Sequence, residues 1–319
     1  MGRVVIGVDL GGTNLRTAIL SPDGNILDRH KEATHAADGW EKVVARLIEN
    51  IKRQRKSAIQ QGFDVAAVGV GAPGIIQADK GIVVKSPNFP DWNNLPLKDQ
   101  LEKTLGIPVF LENDANAAAL GEQWRGAGRG IRSMILLTLG TGVGGGIILD
   151  NKIWHGADGM AGEIGHMTLI PDGRPCTCGN TGCLEMYSSA RGIVQSFREE
   201  LGKTSGGVPD QLKQISSEQV YEAAGTGNEI AVRVMKDMGR MLGIGIASLI
   251  NIFNPERIVV GGGVKDAWPL FIGATREEIM KRAFAVPAKR TEIVPSELGD
   301  DAGMMGAAAV ALELQKAAC

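Results

Sequence analysis

Aromatic side chains make up only 4% of the 319 residues, which argues against a large aromatic pocket. Basic charge is not in excess either. Lys and Arg number 34 against 36 Asp and Glu, a formal net charge of −2, so no positive field is on hand to hold nucleic acid or an anionic membrane. The expected partner is a small neutral or weakly charged molecule. No apolar run approaches the roughly 20 residues of a membrane span. Asp9 interrupts the opening MGRVVIGVDLGG before a secretory core can form, and Ile6 stands where a myristoylation signal wants Ser or Thr. A cytoplasmic location is therefore expected. Cysteine is scarce as well. Three of the four, Cys176, Cys178 and Cys183, crowd into eight positions and Cys319 ends the chain, which is no disulfide framework.

What abounds is glycine, 44 residues, together with short apolar runs. VVIGV (4–8) ends in Asp9 and a glycine pair; LRTAIL and NILDRH flank the turn SPDG, so strand, turn, strand, turn, strand is expected. Trp40, Val43, Val44, Leu47, Ile48 and Ile51 recur at helical spacing. VAAVGVGAPG (65–74) and IPVFLEND (107–114) are further strands, and ANAAALGEQW has the composition of a helix. The opening pattern then returns: SMILLTLGTGVGGGIILDNKIWHG begins about 130 residues after the first copy, the mark of a duplicated strand-turn-strand module. Two related α/β halves follow. In the second, 232–250 is helical in pattern, RIVVGGGV (257–264) is a strand running into glycines, and the tail from 299 reads as a helix with a small-residue face.

Three glycine turns each follow an apolar strand: DLGGTN (Asp9, Gly11, Gly12, Thr13, Asn14), LGTGVGGG (with Thr141 and Gly142) and GGGV (with Gly262 and Gly263). Backbone N–H groups free of Cβ atoms can close round phosphate oxygens, and the threonines add hydroxyl donors. Any one alone is as readily a hairpin or bulge. No Lys-Ser or Lys-Thr follows the glycines, and the G-x-G-x-x-G of 140–145 leads into a strand, so neither the P-loop nor the dinucleotide fingerprint is met. Three together, with Asp9 at a strand end able to hold Mg²⁺ through water, point to the phosphates of a nucleotide.

Asp114 closes a strand and opens a helix. By spacing alone it reads first as an N-cap, with Glu112 on the other face as a structural residue and Trp92 as core. His166 with Cys176, Cys178 and Cys183 offers one imidazole and three thiolates in a Gly/Pro-rich loop, enough to fill a tetrahedral Zn²⁺ shell with no open position, hence a structural ion; free thiols or a redox pair is the competing reading. Glu163 and Glu185 bracket that loop. Held rigidly, such carboxylates can accept hydrogen bonds from the hydroxyls of a small ligand, although glutamates at such places are more often solvated surface charges.

DLGGTN, LENDANAAALGE, LGTGVGGG, AGEIGH and CTCGNTGCLE, in that order, resemble the ROK family of sugar kinases and sugar-responsive repressors, within the actin, hexokinase and Hsp70 ATPase superfamily. The likeness runs from about residue 4 to 312, and KSPNFPDWNN with GCLEMYSSARG is most similar to its bacterial glucokinase branch. The resemblance implies an actin/hexokinase-like (ribonuclease H-like) α/β fold, duplicated into two lobes with the ligand cleft between them. The lobes are placed at 1–115, with a C-terminal helix about 301–319 packing back on it, and at 116–300, with a zinc loop at 166–183. It implies ATP with Mg²⁺, a structural Zn²⁺, and an ATP:hexose 6-phosphotransferase in which Asp114 is the general base. Asn113, Glu163, His166 and Glu185 would touch the sugar, with Gly71, Gly74 and Asn88 completing its wall. Glucose is the expected substrate; N-acetylglucosamine, N-acetylmannosamine and fructose serve near relatives with the same catalytic set. A dimer or tetramer is implied too. The family's repressors carry a helix-turn-helix before the first glycine motif, for which no room is expected with a first strand starting by Val4; an Hsp70-like ATPase would want a second interaction domain and no zinc loop.

Overall fold

The computed structural model describes residues 2–205 and 214–318, so the last residue of the expected tail helix, Cys319, lies outside the described residues. The chain forms two compact units. The first gathers Met1–Arg132, Gly146–Gly162 and Glu297–Cys319, and the second Ser133–Gly145 and Glu163–Ser296; the first therefore runs past residue 115 and takes back a later segment.

In the first unit the elements follow as β1 (Gly2–Leu10), β2 (Asn14–Leu20), β3 (Ile26–Ala33), α1 (Trp40–Gln60), β4 (Phe63–Ala72), β5 (Ile75–Gln77), β6 (Ile82–Lys85), β7 (Asn93–Leu95), α2 (Leu97–Leu105), β8 (Val109–Asn113) and α3 (Asp114–Arg125). Its main sheet has the order β3-β2-β1-β4-β8. β1, β2 and β3 pair antiparallel, while β1, β4 and β8 run parallel. β5, β6 and β7 make a small antiparallel sheet. Successive apolar residues in β1 make sense because both faces of the strand are covered. Val4, Ile6, Val8 and Leu10 pack in one cluster with Val43, Val44, Leu47 and Ile51 of α1, the stripe that recurs at helical spacing. Each such side chain fully buried contributes roughly 1.5–3 kcal/mol. The aromatic Trp92 is core, 1% exposed and stacked on Phe89.

The second unit and the segment that leaves it contain β9 (Met134–Leu139), β10 (Val143–Leu149), β11 (Lys152–Ile153), α4 (Glu185–Ser188), α5 (Ala190–Ser205), α6 (Ser217–Gly225), α7 (Glu229–Phe253), β12 (Arg257–Gly261), α8 (Trp268–Arg282), α9 (Ala285–Arg290) and β13 (Glu292–Pro295). Their sheet has the order β11-β10-β9-β12-β13, which repeats β3-β2-β1-β4-β8 term by term. β9, β12 and β13 run parallel as β1, β4 and β8 do. The repeat in the sequence is thus a repeat of one ribonuclease H-like sheet. Asn228 caps α7 by accepting from Ala231 N–H, and Asn254 ends it in the left-handed conformation at φ 49°, just before Pro255. Among the described residues no helix is long and apolar enough to cross a membrane.

The chain returns to the first unit in α10 (Ala302–Ala318). Met304, Met305, Ala308 and Ala311 cluster with Val5, Ala18, Leu20 and Ala67 on the second face of the first sheet. Glycine is what lets the helix come so near. A Cβ on Gly69 of β4 would lie 1.7 Å from Ala307 O, and one on Gly306 would lie 1.5 Å from Ala117 O of α3. The small-residue face read from the sequence is therefore a close-packing face.

Candidate functional site

Within the first unit, Asp9, Gly71 and Glu112 stand side by side in register at the C-terminal ends of three parallel strands, the edge at which open α/β sheets place ligands. Asn113 and Asp114 come next along the chain. The N-cap of α3 proves to be Asn113, not Asp114: its Oδ1 accepts from Ala115 N–H at 2.9 Å and Asn116 N–H at 3.1 Å. The reason is geometric, since Asn113 is still extended (φ −64°, ψ 145°) and Asp114 is the first helical residue. Asp114 Oδ1 accepts from Ala115 N–H at 2.9 Å. The expected pairing of Asn113 with a sugar now has a constraint, because its Oδ1 is engaged by the helix and its Nδ2 donates to Gly74 O at 3.0 Å. Gly71 backs onto this corner, its absent Cβ 3.8 Å from Asp114 Cα.

The DLGGTN turn is held from within the same unit. Thr34 Oγ1 donates to Gly11 O at 2.7 Å, Thr34 N–H to Thr13 O at 2.9 Å, and Gly11 N–H to Asn14 O at 2.9 Å. Asn88 reaches this turn: its Nδ2 would be 2.5 Å from a Cβ on Gly12, so the loop expected to wall the sugar lies against the turn expected to hold phosphate. Asp9 is not bare. Arg16 Nη1 donates to its Oδ2 at 3.1 Å and Arg16 Nη2 to Asp300 at 2.8 Å. Burial lifts the Asp9 carboxyl above its ordinary value, with the Arg16 guanidinium opposing. Arg16 escaped the sequence reading because a lone arginine in a strand pattern carries no signal of its partner.

Glu112, expected to be structural, is 3% exposed. Its oxygens accept from Asn113 N–H (2.9 Å) and Asn116 Nδ2 (3.0 Å), and lie 2.8 Å from His155 Nε2.

In the second unit, the turns after β9 and β12 meet. Gly262, at φ 82°, would place a Cβ 2.3 Å from Leu139 O, so only glycine fits there. Gly140 O accepts from Ala190 N–H at 2.8 Å, which ties the first of these turns to the start of α5. Glu185 packs on the same turn. Its carboxylate accepts from Val143 N–H at 2.9 Å and from Arg191 Nη2 at 2.9 Å, and the side chain is only 10% exposed. A cavity of about 530 Å³, lined by Thr141, Arg191, Val194, Arg198, Ser216 and Glu218, adjoins the turn. Arg191 and Arg198 went unnoticed in the sequence, where basic residues on a helix read as a solvated face.

His166, Cys176, Cys178 and Cys183 place one ligand atom each within 4.8 Å of one another. Cys178 Sγ and Cys183 Sγ are 3.8 Å apart, and Cys176 Sγ is 3.6 Å from His166 Nδ1. A tetrahedral ion with sulfur at about 2.3 Å and nitrogen at about 2.05 Å gives edges of about 3.8 and about 3.6 Å, so the donors fit a metal in both separations. Nδ1 is the ring nitrogen that faces the thiols. Nε2 faces Glu163, 3.8 Å away, and Glu163 is itself more than half exposed. Burial pushes the Cys183 thiol up to about 12. The loop is anchored a second time by Arg174, whose guanidinium donates to Met186 O (2.7 Å), Ser196 Oγ (3.0 Å) and Glu199 (2.5 Å).

So the first unit brings together Asp9, Gly11, Gly12, Thr13, Asn14, Gly71, Asn88, Asn113 and Asp114 on one sheet edge and its loops. The second groups Thr141, Gly142, Gly262 and Gly263, with Glu185 on the turn and Glu163 on the four-ligand cluster. A model described as the ROK family matches residues 5–314. A glucokinase of Halalkalibacterium halodurans is 40% identical over 95% of this chain and 93% of its own length, and one of Thermotoga maritima 39% over 97% of each. Among solved structures, a ROK family glucokinase from Streptomyces griseus, in complex with glucose and AMPPNP, superposes with a TM-score of 0.80 at 36% identity, covering 97% of this chain and 99% of that one.

Proposed function

The chain belongs to the ROK family, and from that premise we propose that it moves the γ-phosphoryl group of ATP to the 6-hydroxyl of glucose. Asp114 carries the reading: a carboxylate that directly follows a parallel strand, on the sheet edge where Asp9, Gly71 and Glu112 stand in register. As O6 of the sugar attacks the γ-phosphorus, the bond from that phosphorus to the bridging β–γ oxygen breaks, ADP leaves, and Asp114 accepts the proton from O6. Phosphoryl transfer has a loose transition state and asks mainly for positioning and charge balance, which a single fixed base and rings of backbone N–H donors supply.

MgATP is the donor. Gly11, Gly12, Thr13 and Asn14 of the first turn and Thr141, Gly142, Gly262 and Gly263 of the others receive its phosphates, with Asp9 toward the Mg²⁺ and the cavity beside Thr141 as room for the nucleoside. Volumes of this size suit a small ligand. Asn88, Asn113, Glu163, His166 and Glu185 take the sugar hydroxyls, with Gly71 leaving room for them. Likeness to glucokinases favours glucose.

Zinc fits the cluster of His166, Cys176, Cys178 and Cys183. Such an ion has no catalytic position; it cross-links the loop and so steadies Glu163 and Glu185. His166 would ligate through Nδ1 and keep Nε2 for Glu163 or a sugar hydroxyl.

A coupled assay offering ATP with glucose, fructose, N-acetylglucosamine and N-acetylmannosamine tests this. Turnover is expected with glucose foremost. Folded, zinc-loaded protein that phosphorylates none of them would overturn the proposal.

A further inference from the structure

Segment 154–162 leads from β11 to Glu163 and carries His155. It belongs to the first unit and is laid on the rest of it at two points, with one bond closing the segment on itself: Trp154 N–H donates to Ile147 O at 2.7 Å, Gly159 approaches Ile76 of β5 so closely that a Cβ there would be 2.5 Å from Ile76 O, and Ala161 N–H donates to His155 O at 3.1 Å within the segment. The His155 ring sits with Nε2 2.8 Å from Glu112 Oε2. The other oxygen of Glu112 accepts from the peptide N–H of Asn113 and from Asn116 Nδ2. One buried carboxylate thus joins three things: the segment before Glu163, the N–H of Asn113 next to Asp114, and the first turn of α3. None of the roles above uses it.

A carboxylate out of water is costly unless donors and a countercharge meet it. Here the donors are two amide groups and the countercharge is His155. The hydrogen bond to Glu112 raises the imidazole above its ordinary value of 6.5; burial opposes, and the charges of Glu112 and of Asp79, the two acidic groups that face the ring, add to the rise.

We propose that His155 and Glu112 form a proton-dependent clasp that fastens segment 154–162 to the strand end bearing Asn113 and Asp114, making both of them positioning residues for phosphoryl transfer. The proposal rests on Asp114 as the proton acceptor. With His155 protonated, Nε2–H donates to a full negative charge. As pH rises past the raised value the imidazole loses its charge, the pair keeps at most a hydrogen bond from an uncharged ring, and the Glu112 side chain that holds the Asn113 N–H is less firmly placed. Displacement of a catalytic group by a fraction of an ångström shows first in kcat.

The test measures kcat and the KM values for glucose and ATP from about pH 6 to about pH 9, alongside NMR titration of the His155 imidazole. In the wild type, kcat should fall on the alkaline side with the midpoint of the His155 titration, while KM for ATP stays level. His155→Gln should lower kcat roughly tenfold at neutral pH and abolish that limb. His155→Lys, which keeps a cation, should restore most of the rate without the limb. Glu112→Gln should drop the His155 midpoint toward the ordinary imidazole value. A His155→Gln enzyme with wild-type kcat and pH profile overturns the proposal, and so does a His155 midpoint indifferent to Glu112→Gln. Should Glu112→Gln not fold, the half-exposed His155 can still be replaced, and its profile decides alone. An inactive wild type removes the kinase reading and, because the clasp is defined by its effect on transfer, the clasp with it. An inactive Asp114→Asn beside an unaltered His155→Gln profile removes only the clasp.

Discussion

The carboxylate of Glu185 accepts a hydrogen bond from the backbone N–H of Val143 at 2.9 Å. A side chain proposed for sugar recognition is thereby fixed to the very turn proposed for phosphate, and Arg191, which lines the adjoining cavity, grips its other oxygen. Sugar and nucleotide affinity should be linked through this contact, each substrate favouring the other by the same factor.

The turn itself offers a clean probe. A Cβ at Gly142 would lie 2.4 Å from Glu185 Oε2, whereas one at Gly140 meets nothing within 4 Å. Gly142→Ala should therefore weaken glucose binding in the absence of nucleotide about tenfold or more, near 1.4 kcal/mol, and Gly140→Ala should leave it alone. Calorimetric titration with glucose reads both; equal effects would detach Glu185 from the sugar.

Asp114→Asn keeps the shape of the strand end and removes the proton acceptor. kcat should fall at least about 10²-fold, the ordinary worth of general base catalysis, with glucose affinity close to the wild type. Steady-state kinetics with a parallel binding measurement checks this, and a variant that retains turnover would take the role from Asp114.

Purified protein should carry one zinc per chain by elemental analysis. Chelation should lower the Tm and weaken glucose binding together, because ligation and loop order are coupled. Since Arg174 anchors the loop independently, the rest of the fold should survive; unchanged glucose affinity after metal removal would contradict the arrangement.

Packing of the last helix predicts a stability effect with no kinetic signature of its own. Gly306→Ala forces a methyl to within 1.5 Å of Ala117 O, while Gly225→Ala at the end of α6 meets nothing. The first should cost at least about 1–3 kcal/mol, as overpacking does, and the second next to nothing. Urea denaturation distinguishes them.

The raised imidazole of His155 also has a consequence for stability. A group whose folded value lies above its unfolded one contributes fully below the unfolded value, here 6.5, and the contribution is lost as pH rises through the folded value. The wild-type advantage in Tm over His155→Gln should therefore be greatest at mildly acidic pH and shrink on the alkaline side.

Much of this could be read along the chain. Apolar periods marked β1, α1, β4, β8 and α7, and a return of the strand-turn-strand pattern anticipated two sheets of identical order, because alternation and helical spacing are local properties that burial then exploits. The cluster of His166, Cys176, Cys178 and Cys183, proposed to hold zinc, was legible as a cluster for the same reason: its members lie close together in sequence, and their chemistry is in their side chains. Asp114 and the glycine turns were legible as residues, but the cap fell to Asn113 because one dihedral angle decides where a helix begins. Partners distant in sequence left no local trace. Arg16 with Asp300, Glu112 with His155 and Glu185 with Val143 are separated by tens to hundreds of residues, and only the pairing of strands and the docking of loops brings them within reach. So residue order settled which elements form and which chemistries are present, since those depend on neighbours a few positions away. Which carboxylate is held, by what donor and with what shift in its partner's proton affinity was left to the folded chain, since those depend on distance in space and on how much water the packing excludes.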